Sequence, residues 1–182
     1  DLQKTHASLR PYLIEEAYEA AGAIDSGDPM RLADELGDVL LQVVFHAQVG
    51  AEHGEFDMTD VATAICRKMM YRHAHIFGDA TCATAAEVSA NWEQLKKKEK
   101  GLDSAASVME DVAASLPALL RASKVQSKAH NVGFDWDDAK SALDKVYEEA
   151  DEVKAELENG TKLGEELGDL LFSCVNVARL SG

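Results

Sequence analysis

Two stretches of the chain repeat one arrangement of carboxylates, Glu-Glu-x-x-Glu followed across a short turn by Glu-Leu-Gly-Asp. The first holds Glu15, Glu16 and Glu19 with Glu35 and Asp38; the second holds Glu148, Glu149 and Glu152 with Glu165, Glu166 and Asp169. Residues three apart on a helix share a face, which pairs Glu16 with Glu19 and Glu35 with Asp38. In an antiparallel helix hairpin with about 1.5 Å rise per residue, Glu19 and Glu35 lie roughly 9 Å from the turn, and Glu16 and Asp38 roughly 13 Å from it. All four then face one point. Glu149, Glu152, Glu166 and Asp169 reach comparable heights in the second stretch. Carboxylates this close protonate or repel unless a cation sits among them, and all-oxygen ligation selects a hard ion, Mg²⁺ or else Mn²⁺.

The turns that must position these acids are written in the sequence. In Ser26-Gly27-Asp28-Pro29, Gly27 ends one helix, Asp28 caps the next and Pro29 opens its first turn; in the second stretch Asn159-Gly160 is the stop and Thr161 the expected cap. The competing reading is an ordinary solvated face, natural in a chain with 33 Asp and Glu. Such a face gains from opposite charges at i+4. The neighbours of the first cluster are instead apolar: Leu13, Ile14, Ala17 and Ala20 before the turn, and residues such as Leu32, Leu36, Val39, Leu40, Val43 and Val44 after it, which predicts a buried stripe bordered by acids.

Helix-period apolar patterns recur almost throughout, sustained alternation is missing, and prolines number three, so the expected fold class is all-α. Helices are predicted from about Leu9 to Ile24, Met30 to Gly50, Met58 to Arg72, Ala85 to Lys97 and Ser115 to Ala129, the last broken at Asn131 to Trp136 before the second hairpin. Glu35-Leu36-Gly37-Asp38-Val39-Leu40 matches Glu166-Leu167-Gly168-Asp169-Leu170-Leu171, which points to internal duplication. The copies divide as 1–98 and 113–182, joined by an exposed linker over 99–112 rich in small and charged residues.

A chain of 182 residues with 46% hydrophobic content can bury a core, and its net charge of −15 argues against nucleic acid as a partner. Cys66, Cys82 and Cys174 lack metal-site spacing and read as buried reduced thiols, pointing to the cytoplasm. No apolar run approaches the roughly 20 residues that span a bilayer, so no membrane association is expected.

With its surrounding motifs, the repeat resembles the MazG family of nucleoside triphosphate pyrophosphohydrolases. The likeness includes Gln3-Lys4-Thr5-His6, Leu9-Arg10-Pro11-Tyr12, Gln42-Val43-Val44-Phe45-His46, Arg72-His73-Ala74-His75-Ile76-Phe77-Gly78, Asn91-Trp92-Glu93 and Val132-Gly133-Phe134-Asp135-Trp136. The resemblance implies tandem all-α MazG-like bundles, the second cut short at its C-terminal end, and tight homodimers whose helices complete each other's sites. It implies Mg²⁺-dependent hydrolysis of NTPs to NMP and pyrophosphate, with Glu16, Glu19, Glu35 and Asp38 as ligands in one copy and Glu149, Glu152, Glu166 and Asp169 in the other. Glu15 and Glu148, next to those ligands, are placed to orient the attacking water.

Binding a triphosphate also calls for protein cations. Lys68 and Arg72, four apart on one helix, can supply them to the first copy, and Lys124 and Lys128 to the second; both pairs also read as ordinary surface charge. Phe134 and Trp136 are candidates for stacking on a base, against the alternative of core packing. His73 and His75 read as structural hydrogen-bonding residues, and His46 as a satisfied core residue. Departures from the family pattern fall at Tyr71, in place of an arginine, and Ala74, in place of a proline. A non-catalytic regulatory or dimerisation module that binds metal or nucleotide is the alternative function. A di-iron carboxylate centre is disfavoured, because it needs Glu-x-x-His pairs.

Overall fold

Among the described residues the chain is helical, without strands, and this agrees with the all-α expectation. The computed structural model describes residues 4–77 and 84–182, with the side chains at 74, 75, 85, 86, 89, 90, 93 and 159 left aside. Expectations on Gln3, Gly78, Cys82 and the side chains of His75, Glu93 and Asn159 therefore lie outside the described residues. The chain divides into two compact units, Asp1–Trp92 and Glu93–Gly182.

The first unit is built on a hairpin of α1 (His6–Ser26) and α2 (Pro29–His53), followed by α3 (Met58–Arg72) and a single turn, α4 (Ala74–Phe77). Thr5 and Ser8 form a reciprocal capping box, which starts α1 three residues ahead of the predicted Leu9 and places Pro11 inside the helix. Gly27 takes the left-handed φ of 68° and the Asp28 carboxylate accepts from the N–H groups of Met30 and Arg31, with Pro29 in the first turn, as the sequence predicts. These residues lock the antiparallel return that brings Glu16 opposite Glu35.

Helix α5 (Ala85–Glu99) crosses the boundary between units. The second unit continues with α6 (Ala105–Glu110), α7 (Ala118–His130), and a hairpin of α8 (Ala139–Asn159) and α9 (Leu163–Ser181), with α7 packed on α9. Helix α6 falls inside the segment expected as a linker, where Ser104 and Ser107 form a capping box and Lys100 pairs with Asp111 at 2.6 Å. Helix α7 starts later than the predicted Ser115, because Pro117 occupies its N-cap. At the second hairpin Gly160 stops α8 with φ 70°, but Thr161 is not the cap: Lys162 is, without a side-chain cap bond. The Glu156 carboxylate takes over, accepting from the N–H groups of Thr161 and Lys162 at 3.1 and 2.7 Å.

The buried stripe is only half present within one chain. Ala20 is buried and Leu13, Leu32, Val39 and Val43 are half-buried, whereas Ile14, Ala17, Leu36, Leu40 and Val44 are exposed, because each hairpin has a packed side and an open one. Cys66 and Cys174 are free and exposed, contrary to the expected burial; both sit on helix faces turned away from the packed side. No described helix is long and apolar enough to cross a membrane.

Candidate metal centres

In the first unit α1 contributes Glu16 and α2 contributes Glu35 and Asp38, with one ligand oxygen from each lying within 4.8 Å of the others. Glu19, one turn further along α1, is exposed and outside this trio, though its charge still acts on Glu16. The Glu16 carboxyl is pushed above the usual range, first by burial and then by the charges of Asp38 and Glu19; a hydrogen bond from Gln42 at 3.5 Å partly offsets this. Glu15 is exposed beside it.

The second unit repeats the arrangement with Glu149 and Glu152 from α8 and Glu166 from α9, again within 4.8 Å of one another. Asp169 is exposed, yet lines the same cavity as Glu149. Glu149 is 5% exposed; its second carboxylate oxygen, Oε2, is buried with no hydrogen-bond partner. Glu166 is raised by burial, by a hydrogen bond with Glu152, and by the charges of Glu152, Glu165 and Asp169. An orphaned buried oxygen and carboxyls that resist ionisation are what an acid cluster shows when its cation is not counted, and the donor set is all oxygen. The residues therefore fit a hard divalent ion in both units.

Two features correct the sequence reading. Opposite charges do occur at i+4: Arg31 reaches Glu35 at 3.6 Å, and Lys145 reaches Glu149 at 2.7 Å while also holding Glu148 at 2.9 Å. The Lys145 ammonium is held well above its ordinary range by its hydrogen bonds to these two glutamates, so it carries its charge at every physiological pH. Its position one turn before Glu149 was readable in the sequence; its reach to two acids was not.

The proposed phosphate cations separate by environment. Lys68 is exposed on α3, whereas Arg72 is buried and lies 5.4 Å from the Trp92 ring centroid. Lys124 is exposed on α7, and Lys128, half-buried, helps hold the Asp111 carboxyl below its usual range, an effect due chiefly to the hydrogen bond from Lys100. Phe134 and Trp136 are 79% and 44% exposed, so neither is core. Trp136 lines the cavity beside Glu149 and Asp169. His73 is structural, its Nδ1 3.0 Å from the Met69 carbonyl and its ring edge-on to Trp92. His46 stacks on His6 and bonds to it at 2.8 Å, but its buried Nε2 has no partner, so it is only partly satisfied.

The residues that sequence reasoning missed are Asn176 and Arg179 on α9. Arg179 donates to Asn176 Oδ1 from Nε and Nη2, at 3.1 and 2.6 Å, and from Nη2 to Asp135 at 2.5 Å. Asp135 is thereby held below the usual carboxylate range, with the Arg179 hydrogen bond as the main cause. Arg and Asn three apart on one helix gave a faint signal; Asp135, 44 residues away, gave none.

Residues 4–77, the span of the first hairpin and the two helices after it, match the MazG nucleotide pyrophosphohydrolase domain. The chain is 46% identical over 186 residues to the nucleoside triphosphate pyrophosphohydrolase of Escherichia coli K12, covering 100% of this chain and 71% of that protein. It is 44% identical over 179 residues to the nucleoside triphosphate pyrophosphohydrolase/pyrophosphatase MazG of Thermotoga maritima, covering 98% and 68% respectively. Two acid clusters on matching helix hairpins, together with identity of this extent over most of both chains, place the protein in the MazG nucleotide pyrophosphohydrolase family.

Proposed function

We propose that the protein hydrolyses nucleoside triphosphates to NMP and pyrophosphate with Mg²⁺, or Mn²⁺ in its place, bound at the acid clusters. The observation that carries this reading is the Glu149–Glu152–Glu166 cluster, whose ligand oxygens lie within 4.8 Å of one another and whose buried Glu149 oxygen has no partner. Glu16, Glu19, Glu35 and Asp38 would hold the ion in the first unit, and Glu149, Glu152, Glu166 and Asp169 in the second. Bound there, it supplies charge for the leaving pyrophosphate and lowers the pKa of an attacking water. The chain's own contributions are positional. Glu148 is exposed next to the cluster and oriented by Lys145, which suits it to accept a proton from that water, as Glu15 would in the first unit. Lys68, Arg72, Lys124 and Lys128 are the proposed phosphate contacts, and Trp136 the stacking surface.

The exposed apolar rows of the hairpins support an obligate homodimer, since a face carrying Leu36, Leu40 and Val44 calls for cover. Exposed free thiols at Cys66 and Cys174 suit a reducing compartment, and we place the protein in the cytoplasm. Arg72, packed on Trp92 rather than extended from α3, favours a regulatory metal- or nucleotide-binding role for the first unit as the second reading.

An NTP panel with Mg²⁺, resolving NMP, NDP, pyrophosphate and phosphate, tests the activity. Equal yields of NMP and pyrophosphate are expected. NDP and phosphate, or binding without turnover, would overturn it.

A further inference from the structure

Beside the second acid cluster lies a cavity of about 240 Å³ whose lining includes Trp136, Lys145, Glu149, Asp169, Ser173 and Asn176. It is smaller than the roughly 300 Å³ at which whole-ligand pockets begin, so it suits one ring of a substrate rather than all of it. One end is anionic, at Glu149 and Asp169, where a metal-bound triphosphate would sit. The rest of the wall is mixed: the Lys145 ammonium paired with Glu149, the Trp136 and Phe172 rings, the Ser173 hydroxyl and the Asn176 amide.

Asn176 is 8% exposed, and its orientation is dictated by its neighbour. A guanidinium can only donate, so the amide atom facing Arg179 must be the oxygen. Two Arg179 N–H groups fix that oxygen, and Asp135 accepts from the same Nη2 that reaches Asn176, which holds the guanidinium in place. The Asn176 NH₂ is left as a rigid donor at the cavity wall.

The first unit has no counterpart. Aligning Glu-Leu-Gly-Asp puts Gln42, Phe45 and Gln48 at the places of Ser173, Asn176 and Arg179, and aligning Glu-Glu-x-x-Glu puts Tyr12 at that of Lys145. Gln42 there turns back on Glu16. The duplication kept the acids in both copies and the oriented amide in one.

From this we infer that the cavity is a nucleoside subsite, where the Asn176 NH₂, aimed by Arg179 and Asp135, donates to an oxygen or nitrogen acceptor on the sugar or base of the substrate. Asn176 is thus a specificity-determining residue and Arg179 its positioning residue. This rests on the nucleotide-hydrolase reading given above.

The test measures binding by calorimetry, with Mg²⁺, of three probes: a non-hydrolysable α,β-imido NTP, ribose 5′-triphosphate and inorganic tripolyphosphate. Asn176→Leu removes the donor without adding charge; Asn176→Asp keeps an acceptor toward Arg179 and removes the donor, but adds a negative charge. Asn176→Leu should weaken the imido nucleotide about tenfold, the scale of one neutral hydrogen bond, and leave tripolyphosphate unchanged, and Asn176→Asp should weaken the nucleotide more than it weakens tripolyphosphate. Arg179→Met should lower the same nucleotide-to-tripolyphosphate preference. Loss that extends to ribose 5′-triphosphate places the acceptor on the sugar, and loss confined to the nucleotide places it on the base. Unchanged nucleotide affinity, or equal loss for nucleotide and tripolyphosphate, overturns the subsite while leaving the hydrolase reading standing. If the unaltered protein binds none of the three probes, both fall.

Discussion

Glu152 on α8 and Glu166 on α9 meet across the hairpin, and Glu166 resists ionisation first because it is desolvated there and then because of its hydrogen bond with Glu152 and the charge Glu152 carries. A carboxyl raised in the folded state favours the metal-free fold below its unfolded value of 4.5 and loses that benefit as pH rises through the folded value. At neutral pH the metal-free cluster is therefore a source of instability. Glu166→Gln should raise the melting temperature of metal-free protein at pH 7, and this gain should shrink as pH is lowered toward 4.5, where the native carboxyl is itself protonated. The same variant should weaken Mg²⁺ binding in the second unit. A variant that is less stable at pH 7 without metal, or that binds Mg²⁺ as tightly as before, would show that Glu166 is an ordinary structural acid.

Lys145 supplies the positive charge nearest Glu149, and it does so from within the same helix. It therefore competes with any metal for that carboxylate. Lys145→Met should tighten Mg²⁺ binding by the second cluster several-fold, while lowering metal-free stability, because the buried Glu149 carboxylate is then left without its cation. Titration calorimetry beside thermal melts separates the two effects. Weaker Mg²⁺ binding in the variant would mean that Lys145 orders the acids rather than competing for them.

The hairpins were legible because their turns are local. Gly27, Asp28 and Pro29 each act within a few residues, and so does Gly160, so the sequence carries the chain reversal and the height of each acid. What acts at a distance was not legible. Glu156 replaces Thr161 as the group that holds the start of α9, and Arg179 finds Asp135 through the fold alone. The acid trios show the same division. Helical spacing predicts which carboxylates share a face, but whether Glu19 or Asp169 joins the cluster depends on the twist between helices, and both stay outside the trios. Burial was misjudged at Cys66 and Cys174 because an apolar or helical neighbourhood does not say which side of a helix is covered.

Leu40 lies midway along α2 and is 56% exposed, near Leu36 and Val44, which are exposed as well. A dimer that covers this row would bury it, and a charge there would be left without water. Leu40→Glu should convert the protein from dimer to monomer in sedimentation velocity, and dilution should do the same to the unaltered protein only at far lower concentration. Should the unaltered protein sediment as a monomer at micromolar concentration, the dimer proposal would be wrong.

Gly50 shows how closely the end of α2 is packed. A Cβ added there would sit 2.7 Å from the Phe56 carbonyl oxygen and 2.9 Å from its ring, and the backbone oxygen cannot swing aside like the tip of a flexible side chain. Phe56 also stacks on His6, at 5.8 Å between ring centroids, so any shift reaches the start of α1. Gly22, inside α1, has open space at the same position. Alanine is the better helix former by about 1 kcal/mol in both places, whereas crowding a packed site costs about 1–3 kcal/mol. Gly22→Ala should therefore raise the urea midpoint, and Gly50→Ala should lower it. A Gly50→Ala midpoint above that of Gly22→Ala would mean that the Phe56 loop yields freely and does not anchor α2.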